Sequence, residues 1–520
     1  MEKRGDSFWG FRNNPFIALA SAFGDGRFVP ASPFPWGLVA PSLLLYVVLV
    51  ASPHGAGWIF VPVTLIGLSL ISIFQPGLEF YLLMIFALVS WFPEFSQSDF
   101  EVYSADEFAS LYNYRPIPGV TASLFDYLFA AIVLGWLWRY VIPAPRQILK
   151  APFAKPMLFF LSVWTFSLAY GLARRNETYY ALREFRVGAY FVLAYLMVVT
   201  VCQNRLRMRR FLEFIVGSAA VVGAYGIVRY MLGLGQELAG AHIVYYDLAD
   251  SVLMYTAMLI IASFAIGGIA IKSNRVVTAV LTVPMLFSFL FSYRRGSWLA
   301  FIAGLAFLVV LHAGHANFRR FVIQRLFLPA ALIVGAIAAI PAIRNNGLAF
   351  VLARFNSIFD VTGNPSNVFR ILDALNALSS FIRHPILGIG VGGRYDLLYG
   401  SQSPQIMEFM DRVSNASHNG FLFVLFKSGL VGFCAYFLIF VAFFKGWFGI
   451  RNLLGNHRDR AVWMALGAVV ISILVNDMFD PVSDTIRPSL LMAFVMGWGA
   501  AWMARLKKRP EFVGIGPALD

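Results

Sequence analysis

The chain has 520 residues, of which 59% are AVILMFWYC types, 16% are aromatic and only 13% are charged. A soluble domain carries about 25% charged residues, so a soluble enzyme and a disordered chain are both excluded. A disulfide scaffold is excluded too, because the only cysteines, Cys202 and Cys434, lie in apolar segments.

Residues 1–36 hold four basic and three acidic residues ahead of the first apolar run, so no cleavable signal is expected and this segment is read as a retained cytoplasmic extension. From Gly37 to Arg505, apolar runs recur near the ~20 residues that cross a ~30 Å hydrocarbon core. In chain order they fall at about 37 to 53, 57 to 74, 77 to 92, 120 to 141, 154 to 172, 186 to 202, 211 to 231, 250 to 271, 275 to 292, 296 to 312, 325 to 343, 418 to 444, 461 to 476 and 488 to 504. Backbone groups in lipid must be satisfied within the segment, and these runs are too long for barrel strands, so each is expected to be a helix. The expected fold class is all-α: a polytopic membrane helical bundle of about 14 transmembrane helices over residues 37–505. One long structured external loop spans 344–417, and a tail covers 506–520. No internal repeat or low-complexity tract is visible.

Counting charges in alternate loops orients the chain. With the N-terminus in the cytoplasm, the cytoplasmic segments hold 25 Lys and Arg against six acids, including Arg205, Arg207, Arg209 and Arg210 in one loop; the opposite side holds 14 basic residues against 18 acids. That asymmetry is the positive-inside pattern and puts both termini in the cytoplasm. The +14 net charge then faces anionic membrane lipid, and nucleic acid is not an expected partner.

All 14 external basic residues are Arg, whereas seven of the cytoplasmic ones are Lys. A fixed charge on a planar fork of donors suits phosphate or carboxylate. The dense placements are Arg174 with Arg175, Arg183 with Arg186, and Arg294 with Arg295 in a short turn; Arg229 closes the seventh span and Lys427 sits about nine residues into the twelfth. The bland alternative is that the arginines pair with Glu177, Glu184 or lipid headgroups. It is weaker for Arg294 and Arg295, since no acid lies between Arg275 and Asp360. In the long loop, Pro365, Ser366 and Asn367 open a helix in which Val368, Ile371, Leu372, Leu375, Leu378 and Ile382 recur at helical spacing, up to His384 and Pro385. This reads as an amphipathic helix that lies on the membrane or roofs a cavity. Gly388, Gly390, Gly392 and Gly393 follow, either as a flexible turn or as backbone N–H groups presented to an anion. No paired His or Asp-x-Asp marks a metal site in the external loops, and no cofactor is expected.

After the long loop come His418-Asn419, nine residues, and Gly429-Leu430-Val431-Gly432. This resembles the His-Asn-x9-Gly-x-x-Gly signature of the O-antigen ligases and the related Wzy-type polysaccharide polymerases. Arg295-Gly296, within Ser292-Tyr293-Arg294-Arg295-Gly296-Ser297-Trp298, is similar to the family's Ser-Arg-Gly turn, with Tyr293-Arg294 a departure from its commoner small-residue form. Arg370 and His384-Pro385-x-x-Gly388-x-Gly390 also resemble the family's loop, and Leu182 to Arg186 does so more weakly. The motif-bearing resemblance covers about 292 to 432. A lone histidine at a helix start otherwise more often caps than catalyses, and Gly429 with Gly432 otherwise reads as a helix-packing groove.

The resemblance implies an inner-membrane glycosyltransferase that takes a glycan from an undecaprenyl-pyrophosphate carrier and joins it to an acceptor hydroxyl on the periplasmic side. The catalytic residues expected on that basis are His418, as general base, and Arg295, on the pyrophosphate; Arg294, Arg186, Arg183, Arg370 and Asn419 are expected to bind substrate. The implied partners are the lipid-linked oligosaccharide, a glycan or lipid A core acceptor, membrane lipids and other polysaccharide assembly proteins. The extra spans, the N-terminal extension and Tyr293-Arg294 favour a polymerase of exopolysaccharide or O-antigen repeat units over a ligase that uses lipid A core. A transporter or flippase of lipid-linked glycan is a more distant alternative, disfavoured because the polar residues concentrate on one face.

Overall fold

The computed structural model describes residues 122–143, 148–202, 205–231, 236–238, 241–243, 248–266, 275–312, 349–360, 363–400, 407–408, 410–411, 414–455 and 457–507. The expected spans at 37 to 53, 57 to 74, 77 to 92 and 325 to 343, the extension 1–36 and almost all of the tail lie outside the described residues. The protein is an all-α polytopic membrane protein. Its helices are α1 Leu124–Trp136, running on into a π turn Leu137–Val141, α2 Ala154–Ala173, α3 Thr178–Val201, α4 Arg205–Met231, α5 Leu248–Ile266, α6 Arg275–Leu290, α7 Arg295–His312, α8 Ala349–Asn356, α9 Pro365–Arg383, α10 Gly420–Gly449, α11 His457–Asp477 and α12 Ile486–Leu506. Among the described residues eight helices are long and apolar enough to cross a membrane: α2 to α5, α7 and α10 to α12. α1 and α6 are shorter in apolar length. A three-residue antiparallel pair, Gln236–Leu238 with Ala241–Ile243, lies between α4 and α5.

Small residues let the helices approach closely, which is how helices pack where lipid is as apolar as their side chains. A Cβ on Gly497 of α12 would meet the Tyr195 carbonyl of α3 at 2.9 Å, and one on Gly223 of α4 would meet the Met285 backbone of α6 at 2.7 Å. α12 is the most enclosed span, with 89% of its apolar window buried, and α2 the least, with 28%. At the other end of the bundle from the sites described below, Trp447 and Trp463 stack at 4.1 Å and each donates its indole N–H to the other's carbonyl, locking α10 to α11.

The continuous apolar run at 418 to 444 is broken. Gly429 has φ 64° and ψ −165°, a conformation essentially confined to glycine, and the chain reverses there. In a straight helix Phe421 and Tyr436 would stand about 22 Å apart at ~1.5 Å per residue. Instead their rings are 6.3 Å apart, and Phe421 also meets Phe433 at 6.5 Å. The segment 420–428 is therefore a re-entrant arm folded back on the body of α10. Contacts with α2 track the arm from its bend: Gly171 faces Val391 and Gly390, Ser167 donates to the Lys427 carbonyl, Trp164 meets Phe423, and Phe160 meets Tyr436. His418 thus sits toward the bundle interior from the bend, at the level of Tyr436.

A sharp bend leaves backbone groups without helical partners, and the segment 384–393 takes them up. Ile389 N–H and Gly390 N–H donate to the Phe426 and Lys427 carbonyls, both at 2.9 Å, while Leu430 and Val431 N–H donate to the carbonyls of Pro385 and Ile386. The backbone N–H groups of this segment are taken up within the protein, one of them by a carboxylate. Gly388 donates to His384 O, Val391 to Ser167 O, Gly392 to the Glu184 carboxylate and Gly393 to Gly390 O, and the Asn176 amide bridges the carbonyls of Ile389, Gly390 and Val391. The His-Pro-x-x-Gly-x-Gly and Gly-x-x-Gly stretches are two sides of one clasp.

Candidate active site

α9 organises the site. Asn364 caps it, its side chain accepting from Ser366 N–H, with Pro365 at the first helical position. The apolar stripe of Ile371, Leu375, Leu378 and Ile382 is exposed, and the buried face carries Phe369, Asp373, Asn376, Ala377 and Ser380. The helix is amphipathic as its sequence predicts, with a largely polar face turned toward the protein. Phe369 and Arg370 lie three and four residues after Ser366, and Asp373 lies four and three after them, so these residues share a side of the helix.

At the start of α9 is an arginine cluster. Tyr293, buried and at φ 52°, turns the chain between α6 and α7. A Cβ on Gly296 would lie 3.0 Å from both Phe479 and the Asp480 carboxylate, so glycine lets this turn rest on the α11–α12 connection. Asp480 pairs with Arg370 at 3.0 Å and with Arg294 at 3.7 Å. Arg295 is 5% exposed and donates to the Ser357 carbonyl and hydroxyl, at 3.0 and 3.1 Å, and to the Ser366 hydroxyl at 3.1 Å. Arg354 and Arg370 act on it as like charges and Asp480 as an opposite one. The acid missing from the local sequence of Arg294 and Arg295 is thus supplied from the far end of the chain. The Arg370 Nε–H is buried with no hydrogen-bond partner among the described residues.

One to two turns along α9 is His418. Its ring is half-buried and meets Phe369 edge-on at 4.9 Å, and its Nδ1 is 3.7 Å from the Asp373 carboxylate. Asn419 caps the arm, its side-chain oxygen accepting from Leu422 N–H at 3.0 Å. The residue expected from sequence to bind substrate thus serves here as a helix cap. Gly420 packs on Asp477, where a Cβ would meet the carboxylate, so both the arginine turn and the histidine arm rest on the same α11–α12 connection. From Ser366 to Asp373 is seven residues, so the arginine end and the histidine end of the site are separated by about 10 Å along α9.

The remaining sequence candidates stand elsewhere. Arg186 forms an ion pair with Asp126, which also accepts from Tyr190 and caps α1 through Ser123. Its charge is met by α1 rather than joined to the Arg294–Arg295 cluster. Arg183 is exposed and acts on Asp484, whose carboxyl is pushed up to about 7 by burial, against the pull of Arg183. Lys427, costly in lipid if left alone, is buried in an ion pair with Glu184 at 2.6 Å and also donates to the Gly393 carbonyl at 2.6 Å, tying α3 to the clasp. Asp373, Ser357 and Tyr395 were not singled out from sequence; Ser366 was read only as part of a helix start and Glu184 only as a counterion for the arginines. For Ser366, Arg370, Asp373, Asn376 and Ser380 a signal existed, a polar stripe at helical spacing opposite the apolar one. Among the described residues no group of three His, Cys, Asp or Glu side chains gathers as a metal site.

A search of curated proteins finds no match to the chain. Residues 280–437 match the family model Wzy_C, described as O-Antigen ligase. The match begins within α6, takes in the arginine turn, α8, α9, the glycine clasp and His418, and ends in the body of α10. It supports an enzyme of the O-antigen ligase or polymerase type in general. The match supports the O-antigen ligase and Wzy superfamily for residues 280–437, which is less than half of the chain.

Proposed function

We propose that the protein is a glycosyltransferase of the bacterial inner membrane, working on its periplasmic face. The donor is a glycan on undecaprenyl pyrophosphate and the acceptor is a sugar hydroxyl. The observation that carries this reading is that α9 brings a cationic cluster, Arg294, Arg295 and Arg370 around Asp480, and a half-exposed histidine, His418 beside Asp373, to positions about 10 Å apart along its length. Attack by the acceptor oxygen forms the new bond at the anomeric carbon. The bond from that carbon to the pyrophosphate oxygen breaks, and its electron pair leaves with undecaprenyl pyrophosphate. Arg295 and Arg370 stabilise the charge that develops on the leaving group, and His418 takes the proton of the acceptor hydroxyl. The arginines supply the positive charge for this step, so no metal ion is required. Arg294 assists through its contact with Asp480, and Asn419 holds the helix start that presents His418.

Within the superfamily we favour a Wzy-type polymerase of exopolysaccharide or O-antigen units, on the N-terminal extension, the extra apolar runs and Tyr293-Arg294. The purified protein, given radiolabelled lipid-linked repeat units without lipid A core, is expected to build longer chains. Transfer only after lipid A core is added would make it a ligase. No transfer in either case, with movement of the lipid-linked glycan across a vesicle bilayer, would replace the enzyme by a transporter.

A further inference from the structure

Asp373 is 1% exposed, and its Oδ2 is turned to the start of the catalytic arm. Oδ2 accepts from the His418 backbone N–H at 2.7 Å and the Ser417 hydroxyl at 3.1 Å; Oδ1 accepts from the Tyr395 hydroxyl at 2.5 Å. Tyr395 belongs to the chain just after the glycine clasp, and its N–H in turn donates to the Ser414 carbonyl. Among the described residues no Lys or Arg lies within ion-pair distance of Asp373. The only group there able to carry positive charge is the His418 ring, with Nδ1 at 3.7 Å from Oδ2.

Neutral donors compensate a buried carboxylate only in part. An uncharged acceptor could pin the same backbone N–H with less desolvation. What a carboxylate adds is negative charge beside an imidazole, which matters at the moment that imidazole becomes a cation. Phe369 packs edge-on against the ring and limits its rotation.

We propose that Asp373 is the positioning residue for His418. It holds the imidazole with Nδ1 toward the carboxylate, so that Nε2 faces the acceptor hydroxyl, and it stabilises the imidazolium formed when the proton is transferred. The 3.7 Å separation is an ion-pair distance, which a small ring rotation would shorten to a hydrogen bond in the loaded enzyme. Tyr395 and Ser417 keep the carboxylate in place.

This inference rests on His418 as the base, and a double-mutant cycle separates the two. The probe is radiolabelled undecaprenyl-pyrophosphate-linked glycan extracted from cells lacking the enzyme. Single-turnover rates and donor binding are measured for Asp373→Asn, His418→Gln and the double variant in detergent. His418→Gln is expected to lose about 10²- to 10⁴-fold in rate. Asp373→Asn is expected to lose roughly tenfold or more in rate with donor binding unchanged, and to change the His418→Gln rate less than about twofold, because its effect passes through the ring. A full rate for Asp373→Asn, or effects that multiply, would overturn the inference while leaving His418 as the base. A full rate for His418→Gln would remove the base assignment itself. Should Asp373→Asn not be recovered folded, Tyr395→Phe, which removes only the Oδ1 donor, goes through the same cycle. A few-fold loss that vanishes in the His418→Gln background supports the inference, and a loss that persists there refutes it.

Discussion

Gly429→Ala tests the clasp that places His418. The residue at 429 must hold φ 64° and ψ −165°, which costs a non-glycine residue about 1–3 kcal/mol. Its new Cβ would stand 2.2 Å from the Ile386 carbonyl oxygen, and backbone cannot swing aside as a flexible side chain can. If the 384–393 segment is pushed out, the bonds Ile389 to Phe426, Gly390 to Lys427, Leu430 to Pro385 and Val431 to Ile386 are at risk. At about 0.5–1.5 kcal/mol each, these bring the total to roughly 3–9 kcal/mol, comparable with the whole stability of a typical domain. The expected outcome is a marked fall in thermal-unfolding temperature in detergent and loss of transfer, even at temperatures where the protein stays in solution. Gly455→Ala, whose Cβ would meet nothing within 4 Å, is the control and should behave as wild type. Wild-type transfer by Gly429→Ala at normal protein levels would refute the claim that the reversed arm is the working form of the site.

Four further outcomes are expected. Arg295→Lys replaces a planar fork of donors and cannot keep both the Ser357 and the Ser366 contacts that orient it, so transfer should fall by about tenfold or more; equal rates for Arg and Lys would reject the need for a guanidinium. Asn419→Ala removes a helix cap worth about 1 kcal/mol, so it should lower stability modestly while retaining far more transfer than His418→Gln, and the reverse order would give Asn419 a direct substrate role. Asp484, with its carboxyl raised from 3.8 to about 7, weakens the fold progressively as pH rises through that window, so Asp484→Asn should unfold at a higher temperature than wild type at pH 8 and lose most of that advantage by pH 5, whereas a pH-independent difference would rule this out. Transfer should be unaffected by a chelator; loss restored by one particular divalent ion would require a metal in the step.

Among the described residues most spans were legible because a 3.6-residue helix must run long and apolar to cross lipid, and α9 was legible from its spacing and its Pro-Ser-Asn start. The arm was not. A continuous apolar run reads the same whether it crosses the membrane once or doubles back at Gly429, because the signal of reversal is a single glycine's φ. Ion pairs were illegible for another reason. Lys427 finds Glu184 across 243 residues and Arg370 finds Asp480 across 110, separations that no local pattern reveals. The family motif marked His418, Arg295 and Arg370 without marking what holds them.

One inversion accounts for much of that gap. In a soluble protein the apolar stripe of α9 would mark its buried face, and the polar stripe would be read as solvated surface. Where the surroundings are hydrocarbon, burial of polar groups against other polar groups is the way to shield them. The stripe Ser366, Arg370, Asp373, Asn376 therefore turns inward and reaches Arg295, Asp480, His418 and the Tyr399 backbone in turn. Facing inward also removes these groups from bulk water, where a charge-assisted contact is weak, and sets them where the same contact is worth several times more. The feature that hides the site from a sequence reader is thus the one that would strengthen arginine and histidine for the proposed glycosyl transfer.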